Sequence, residues 1–372
     1  MTDTQDYSEM ACFEITILGG TGGPFEGSTQ CFMVRDARRR DLASICIDGG
    51  VGLGAIAKML RTPSYEDAVE SLYQNELEPV GKYIDIELLN SGVAKQGFSE
   101  RLLMHVPKAP IVQQAMQIFQ GIGEYYITHP HMDHIAGMVV NSAAVYEPAV
   151  PSKKLIKGLP FTIHPLAQHV FNDAVWPQLT NPALGGLTFS TLENKTVCAS
   201  TTLPQFDVKP FEVHHGACVA NLRDTVSSTV YVITDRQTQD TIVVCGDLEK
   251  DPDSDGEGQL AAVWKHLAEH VQLSRLRAVL IECSNSQSID ERRLFGHLSS
   301  VRLVGELEAL RKAYQVGTLG NLTVLVSHVK MVYADEDPRL TIIKELRALA
   351  ASKQGLDKVS FSIAVQGCTF TV

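Results

Sequence analysis

The chain has 372 residues, 44% of them hydrophobic and 20% charged, and a net charge of −11. This length allows one large domain or two ordinary ones, and the composition excludes global disorder. The acidic balance disfavours a protein that follows a polynucleotide backbone, because such proteins carry a basic face. The only dense basic cluster is interrupted by acidic residues and is interpreted as a solvated turn between strands; it comprises Arg35, Arg38, Arg39 and Arg40.

The eight cysteines, at positions 12, 31, 46, 198, 218, 245, 283 and 368, include no C-x-x-C pair. Most lie in apolar runs, which predicts reduced core residues of an intracellular protein rather than disulfides or a thiolate zinc site. The segment 1–10 lacks the basic and apolar regions of a secretion signal, and no apolar run reaches membrane-spanning length. We therefore expect a cytoplasmic protein without membrane association, with passage into the nucleus left open.

Short strands are predicted in the first quarter of the chain, at 13–18, 31–34 and 44–47, and glycine-rich turns follow two of them. The turn at 19–24 contains neither G-x-G-x-x-G nor a P-loop lysine. It is therefore interpreted as a tight turn near the mouth of a site rather than a nucleotide-phosphate loop. Residues 52–124 are expected to be largely helical and to form an insertion that covers the site.

The most informative stretch is His129-Pro130-His131-Met132-Asp133-His134, which follows an apolar run at 125–127. Nitrogen and oxygen ligands at this density suit zinc or a similar divalent cation. Residues two apart in extended backbone point the same way, so His129 and His131 can reach one ion while Asp133 and His134 reach a second. Two ions about 3.5–4 Å apart would hold a hydroxide between them, which predicts a hydrolase. The alternative is a chance histidine-rich surface segment.

Strand-like and helix-like runs alternate from residue 125 onward, which predicts α/β layers in which helices cover sheet. Strands are expected at 211–213, 229–233, 241–244, 278–281, 323–326 and 359–365. Helices are expected at 135–145, 259–271, 299–314 and 338–353, and each predicted boundary carries an error of a few residues. The small residues Ala136 and Gly137 would let the first of these helices lie close to the site.

Several of these apolar strands run into a ligand-type residue at their ends: His129, His214 and His215, Asp247, Glu282 and His328. Sites in layered α/β proteins gather at strand ends, where rigid sheet holds residues that are distant in sequence. Seven of the twelve histidines lie in the motif, at these strand ends or in the 295–299 segment: those at 129, 131, 134, 214, 215, 297 and 328. The other five, at 105, 164, 169, 266 and 270, are expected to be surface or structural residues.

The H-x-H-x-D-H motif, followed by a lone histidine, an aspartate and a final histidine, resembles the metallo-β-lactamase fold. The longer stretch 129–143 resembles the signature of class II cyclic-nucleotide phosphodiesterases, with Met132 where that family usually has leucine. The exchange roughly conserves volume. The resemblance implies a four-layer αββα sandwich of α/β class, formed as a single domain over 1–372, and two divalent ions, expected to be zinc.

The resemblance also implies a ligand set: His129, His131 and His215 for the first ion, Asp133, His134 and His328 for the second, and Asp247 as a bridge. His214 and His215 face opposite ways, and His215 is preferred because Gly216 follows it as in the fold's pattern. For His328 the alternative is a buried structural histidine.

Glu282 and His297 resemble a pair in the related tRNA 3′-end nucleases, in which a glutamate orients a histidine that assists the leaving group. A carboxylate partner would raise the proton affinity of His297, and a sugar oxygen leaves poorly until it is protonated. The alternative is that His297 caps the helix that begins near residue 299. Contacts to substrate remain open: Ser284 and Asn285 are candidates for phosphate or ribose, and Phe295 and Tyr333 are either base contacts or core.

The activity implied by the resemblance is hydrolysis of a 3′,5′-cyclic nucleotide, cAMP and also cGMP, to the 5′-monophosphate. The partner is then a small molecule, and a homodimer is expected from the resemblance alone. Three rivals are a tRNA-processing nuclease, a thioester or lactone hydrolase, and a metal-binding module without activity. The acidic balance opposes the first, the chain length opposes the second, and the complete ligand set opposes the third.

Overall fold

The computed structural model describes residues 11–61, 68–74, 76–218, 221, 224–251 and 258–372, so the polar segment 1–10 lies outside the described residues. The strands are β1 (Phe13–Gly19), β2 (Thr21–Gly22), β3 (Cys31–Asp36), β4 (Ser44–Ile47), β5 (Ala68–Ser71), β6 (Glu76–Pro79), β7 (Ala94–Gln96), β8 (Ile122–Tyr126), β9 (Lys154–Gly158), β10 (Leu187–Thr191), β11 (Cys198–Ala199), β12 (Phe206–Ala217), β13 (Thr225–Asp235), β14 (Thr241–Cys245), β15 (Leu276–Glu282), β16 (Thr323–Ser327), β17 (Val329–Lys330), β18 (Ser360–Ile363) and β19 (Cys368–Thr371). The helices are α1 (Leu53–Arg61), α2 (Ile86–Asn90), α3 (Glu100–Leu103), α4 (Ile111–Gly121), α5 (Met132–Asn141), α6 (Pro160–Pro165), α7 (Gln259–His270), α8 (Ser300–Ala313) and α9 (Pro338–Ala351).

Two large mixed sheets face each other. The first has the strand order β10-β9-β8-β4-β3-β1-β19-β7, and the second has the order β11-β12-β13-β14-β15-β16-β18. Aromatic side chains meet between them: the rings of Phe13 and Phe206 lie 4.8 Å apart, and those of Tyr126 and Tyr231 lie 5.6 Å apart. Because alternate residues of a strand face opposite sides, each sheet also presents an apolar outer face that needs a cover.

Helices supply that cover on both sides. The outer face of the first sheet packs against α1, α4 and α5 around Met33, Cys46 and Tyr125. The outer face of the second packs against α7, α8 and α9 around Trp264, Leu307 and Leu346. The architecture is therefore the four-layer αββα arrangement. No helix among the described residues combines the length and apolar character needed to cross a bilayer.

The strands predicted after residue 240 and the helices α7, α8 and α9 begin within two residues of their predicted positions, whereas β12 and β13 extend beyond theirs. The helix expected at 135–145 is α5 at Met132–Asn141: it begins earlier because His131 occupies its N-cap position, so the end of the motif forms its first turn. The segment 52–124 is less helical than expected, because β5, β6 and β7 interrupt its helices. Strand β7 pairs with β19, with Gln96 opposite Cys368. That pairing joins segments about 270 residues apart, so local sequence patterns gave no sign of it.

The arginine cluster is not a free basic face. Arg35 is buried and donates to Glu14 at 2.8 Å, and Arg38 donates to Asp36 at 2.8 Å. Arg39 pairs with Asp41. The solvated-turn interpretation is therefore only partly right, since one member of the cluster is a core residue. The ion pairs also neutralise positive charge that a nucleic acid would need for binding.

Parallel pairing determines where the site forms. Strands β14, β15 and β16 run parallel, and so do β4 and β8 in the facing sheet. Their carboxyl ends meet at one edge of the sandwich, where the residues after each strand converge. Helix α5 is held at this edge by close backbone contact: Gly137 N donates to Gly50 O at 2.9 Å, and a Cβ on Gly137 would lie 2.4 Å from the Val51 carbonyl carbon.

Candidate active site

One donor set joins the first two histidines of the motif to the second sheet. Ligand-type atoms of His129, His131, His215 and Asp247 all lie within 4.8 Å of one another. The His129 ring centroid lies 4.4 Å from that of His131 and 4.9 Å from that of His215. The alternative residue, His214, is absent from every such donor group among the described residues.

A second donor set consists of Asp133, His134 and His328, whose ligand-type atoms also lie within 4.8 Å of one another. His328 Nε2 lies 3.2 Å from Asp133 Oδ2 and 3.3 Å from His134 Nε2. His328 is 1% exposed and directly follows β16. The structure thus brings the start of α5 and the end of β16 to the same point.

Asp247 lies between the two sets. Its Oδ2 is 3.3 Å from Nε2 of both His134 and His328, and 3.7 Å from Nε2 of both His129 and His215. A carboxylate surrounded by four imidazole nitrogens can serve both sets at once. The seven residues that the resemblance implied as ligands therefore occupy one compact cluster.

The cluster fits a divalent cation on two independent grounds. Asp247 Oδ1 and His129 Nε2 are buried and have no hydrogen-bond partner among the described residues, although buried polar atoms are normally paired. Burial also lowers the pKa of His129, His131 and His215, to about 4 for His215, so these imidazoles are neutral and can act as ligands. Imidazole and carboxylate donors together suit zinc and similar metals.

In the second donor set, neighbouring charges favour the ionised forms of His134 and Asp133. Burial disfavours protonation of His134, but the carboxylates of Asp247 and Asp48 raise its pKa well above the usual value. Burial also disfavours ionisation of Asp133, but the hydrogen bond and charge of neighbouring histidines lower its pKa. The carboxylates of Asp48, Asp133 and Asp247 therefore favour a positive charge in the second donor set.

Asp48 was not singled out in the sequence, although it follows strand β4 just as the other site residues follow theirs. It is fully buried and has positive φ (60°). Its Oδ2 lies 2.7 Å from His134 Nδ1 and accepts a hydrogen bond from Thr128 Oγ1 at 3.0 Å, while its Oδ1 accepts one from the Thr128 backbone N–H at 2.8 Å. The signal in the sequence that identifies Asp48 is its position directly after the apolar strand β4, where the glycine-rich turn expected after residues 44–47 begins.

Glu282 and His297 form the expected pair. His297 Nδ1 lies 2.9 Å from Glu282 Oε1, and both residues are buried. Burial disfavours the imidazolium, but the charge and hydrogen bond of Glu282 raise the pKa of His297. The helix-cap alternative fails, because Ser299 and not His297 occupies the N-cap position of α8.

The four candidate substrate contacts fall in different environments. Ser284 is 3% exposed, and its hydroxyl contacts Glu282 and His328, so this hydroxyl is turned into the protein. Asn285 is half-buried, and its side-chain nitrogen has no partner among the described residues. Phe295 and Tyr333 are both strongly exposed, Phe295 at 72%, so neither is a core residue.

Comparison with known proteins assigns the chain to a family. Residues 48–367 match the model of the class-II cAMP phosphodiesterases. The chain is 42% identical to the 3′,5′-cyclic-nucleotide phosphodiesterase 1 of Saccharomyces cerevisiae, over 97% of this chain and 99% of that protein. The crystal structure of unliganded yeast PDE1 superposes with a TM-score of 0.92 at 41% identity, covering 98% of this chain and 100% of the other. A metallo-β-lactamase fold protein of Bacillus subtilis, YhfI, shares the fold with a TM-score of 0.53 at 14% identity, covering 97% of this chain and 99% of its own. The αββα sandwich is thus a metallo-β-lactamase fold, and the chain belongs to the class-II cAMP phosphodiesterase family.

Proposed function

We propose that this protein hydrolyses 3′,5′-cyclic nucleotides, cAMP and also cGMP, to nucleoside 5′-monophosphates with the help of two zinc ions. The observation that carries the proposal is the position of Asp247, a buried carboxylate between two donor sets, in a chain of this family. A cyclic phosphodiester is a small anion, and an acidic protein can bind it where cations dominate the local field.

The residues would divide the work of holding the ions. His129, His131 and His215 would hold one, Asp133, His134 and His328 the other, and Asp247 would contact both. When bound, two such ions lower the pKa of water and offset negative charge on the phosphoryl oxygens. The neutral state that burial gives His129, His131 and His215 suits this task, because only an unprotonated nitrogen can coordinate. His134, whose pKa the carboxylates of Asp247 and Asp48 raise, would release the proton of its Nε2 when the ion binds.

His297 would supply the proton that the leaving group needs. Water adds to phosphorus opposite the 3′ oxygen and releases one proton to solvent, while the bond from phosphorus to that oxygen breaks and the oxygen takes the proton of His297, which solvent then replaces. The Nδ1 of His297 is occupied by Glu282, so its Nε2 is the nitrogen able to donate. Glu282 orients His297 and raises its pKa, which favours the imidazolium that must be present before transfer.

The base would contact exposed aromatic side chains, of which Phe295 adjoins the cluster through Gly296. Phe295 has positive φ (50°), and the next residue, Gly296, accepts a hydrogen bond from His215 Nδ1 at 2.8 Å. An exposed phenylalanine in a strained conformation, two residues from His297, suits stacking against a purine. Tyr333 is the second candidate, on the loop that follows β17.

The test is turnover of cAMP and cGMP by the purified protein, with elemental analysis, before and after chelation. We expect two zinc equivalents, 5′-AMP as product, loss of activity on chelation, and recovery with added zinc. His131→Ala should remove most of the activity, because it breaks a donor set. Turnover of cAMP by His131→Ala at the parental rate would contradict the assignment.

The rival activities are measured on the same preparation. Cleavage of a tRNA precursor, a lactone or a glutathione thioester without cAMP hydrolysis would replace the proposal. Stoichiometric metal without any phosphodiesterase turnover would indicate a binding module. We also propose a cytoplasmic location and a homodimer; the location is supported by the eight cysteines, all of which have free thiols.

A further inference from the structure

Two buried carboxylates lie beneath the imidazole cluster, one on each side of the sandwich. Asp48 follows β4 of the first sheet, and Glu282 ends β15 of the second. Each contacts one histidine directly: Asp48 Oδ2 lies 2.7 Å from His134 Nδ1, and Glu282 Oε1 lies 2.9 Å from His297 Nδ1. Each carboxylate thus fixes the plane of one imidazole.

Each carboxylate also reaches a second histidine through a hydroxyl group. Thr128 Oγ1 lies 3.0 Å from Asp48 Oδ2 and 3.1 Å from His129 Nδ1. Ser284 Oγ lies 2.8 Å from Glu282 Oε2 and 3.0 Å from His328 Nδ1. The same arrangement of carboxylate, hydroxyl and imidazole therefore occurs on both sides of the centre.

Proton positions follow from the direction in which His328 faces. Its Nε2 lies 3.2 Å from Asp133 Oδ2 and 3.3 Å from Asp247 Oδ2, so Nε2 is the nitrogen turned into the donor set. Nδ1 must then carry the proton and donate it to Ser284 Oγ. The single hydroxyl proton of Ser284 goes to Glu282 Oε2, because a carboxylate is a stronger acceptor than the alternative, the His328 carbonyl at 2.9 Å.

We infer that Ser284 is a positioning residue for metal binding: it connects the Glu282 carboxylate to His328 and so fixes the ring and tautomer of that ligand. This inference rests on the proposed metal centre. Ser284 is 3% exposed, and Glu282 Oε2 also accepts its backbone N–H at 3.0 Å, so its hydroxyl cannot turn toward substrate without breaking the network.

The backbone of His328 shows why such support matters. His328 has φ of 56°, a left-handed conformation that is unfavourable for residues other than glycine. One side of its ring contacts Gly22, where a Cβ would lie 2.7 Å from His328 Cε1. Ser284 constrains the Nδ1 edge, so the ring is held by two different segments.

One carboxylate consequently serves two functions. Glu282 Oε1 contacts His297, the proposed acid, while Oε2 contacts Ser284 and through it His328. Removing the Ser284 hydroxyl breaks only the second connection. The defect should therefore appear as weaker metal binding in the Asp133–His134–His328 set, with His297 still bound to Glu282.

The experiment is zinc competition with a chromophoric chelator on the parent, Ser284→Ala, Ser284→Thr and Ser327→Ala. The last is the matched control: Ser327 is buried, directly precedes His328, and its hydroxyl has no partner in the described part of the chain. We expect Ser284→Ala to lose one of two zinc equivalents at about 10- to 100-fold lower chelator concentration, as for other partners of metal ligands. Ser284→Thr, which keeps the hydroxyl, should restore binding, and Ser327→Ala should match the parent.

The outcomes separate this inference from the proposed function. A parent that binds no zinc would overturn the metal centre itself. A parent with two equivalents and a Ser284→Ala variant that holds both as tightly would overturn only the role of Ser284. If Ser284→Ala does not fold, ¹⁵N-histidine NMR of the zinc-loaded parent decides: a proton on His328 Nδ1 supports the inference, and a proton on Nε2 overturns it.

Discussion

The proposed acid role of His297 makes a prediction that depends on the leaving group. His297→Ala should slow hydrolysis of cAMP strongly, because its 3′ oxygen must be protonated as it departs. It should slow hydrolysis of bis(p-nitrophenyl) phosphate only slightly, because p-nitrophenolate leaves without a proton. The two substrates share the same phosphodiester chemistry, so they differ mainly in the step assigned to His297.

The geometry of His297 determines how large a loss of kcat we expect. His297 is buried and held at 2.9 Å by Glu282, so it meets the requirement of a preoriented acid. A positioned general acid typically contributes about 10²–10⁴-fold, and we expect kcat for cAMP to fall by that factor. Glu282→Gln removes a hydrogen bond to a charged group, worth about 1.5–3 kcal/mol, or about 10- to 150-fold in rate.

Steady-state kinetics on both substrates, with zinc content measured for each variant, provides the assay. His214→Ala is the matched control, since it removes a neighbouring histidine that lies outside the donor sets. Equal losses on cAMP and on the aryl ester would refute the acid role. So would loss of zinc from His297→Ala, because His297 also lies within reach of Asp247 and His328 and would then act as a ligand.

Four further predictions concern separate parts of the molecule. His215→Ala should lose zinc and activity while His214→Ala retains both, as measured by elemental analysis and turnover; the reverse result would exchange their assignments. Phe295→Leu should raise KM for cAMP by about 5- to 150-fold, since a lost stacking contact is worth about 1–3 kcal/mol, with little change for the aryl ester and recovery in Phe295→Tyr; an unchanged KM would remove Phe295 from the base site. Gly137→Ala should destabilise the protein by about 1–3 kcal/mol and weaken zinc binding, because the new Cβ would collide with the Val51 backbone. Its control is Gly305→Ala, whose Cβ meets no described atom within 4 Å and which should stabilise helix α8 by about 0.5–1 kcal/mol in denaturant titration. Similar stability changes in the two variants would contradict the close approach of α5 to residues 50–51. Burial, with Lys209 and His270 nearby, lowers the pKa of His266 to about 4. The free energy of unfolding should therefore fall by on the order of 1–2 kcal/mol between about pH 6.5 and pH 4, after allowance for the partial exposure of His266. His266→Gln should flatten that decline, and an unchanged pH profile of stability in this variant would exclude the contribution.

The sequence predicted the fold class and the members of the cluster because both depend on local patterns. Apolar runs marked strands, and a ligand-type residue at the end of a strand is placed by the sheet itself. His215 and Asp247 illustrate this, since 32 residues separate them in sequence and the sheet brings them within 3.7 Å. The family resemblance then divided the residues into two sets, and the geometry groups the same residues.

What the sequence could not predict depends on contacts between distant segments. The partner of Asp48 is His134, 86 residues away, and only packing of α5 against the 49–51 turn brings them together. The edge strand β7 exists because β19 pairs with it. Ser284 lies in a loop, where local sequence does not fix the direction of a side chain, so its turn toward Glu282 and His328 emerged only from the structure.

Anomalous diffraction from crystals of the purified protein at the zinc absorption edge tests the paired-cation centre most directly. The account predicts two peaks, one on each side of Asp247, the first within coordination distance of His129, His131 and His215 and the second within coordination distance of Asp133, His134 and His328. A single peak, or peaks that Asp247 does not contact, would contradict it.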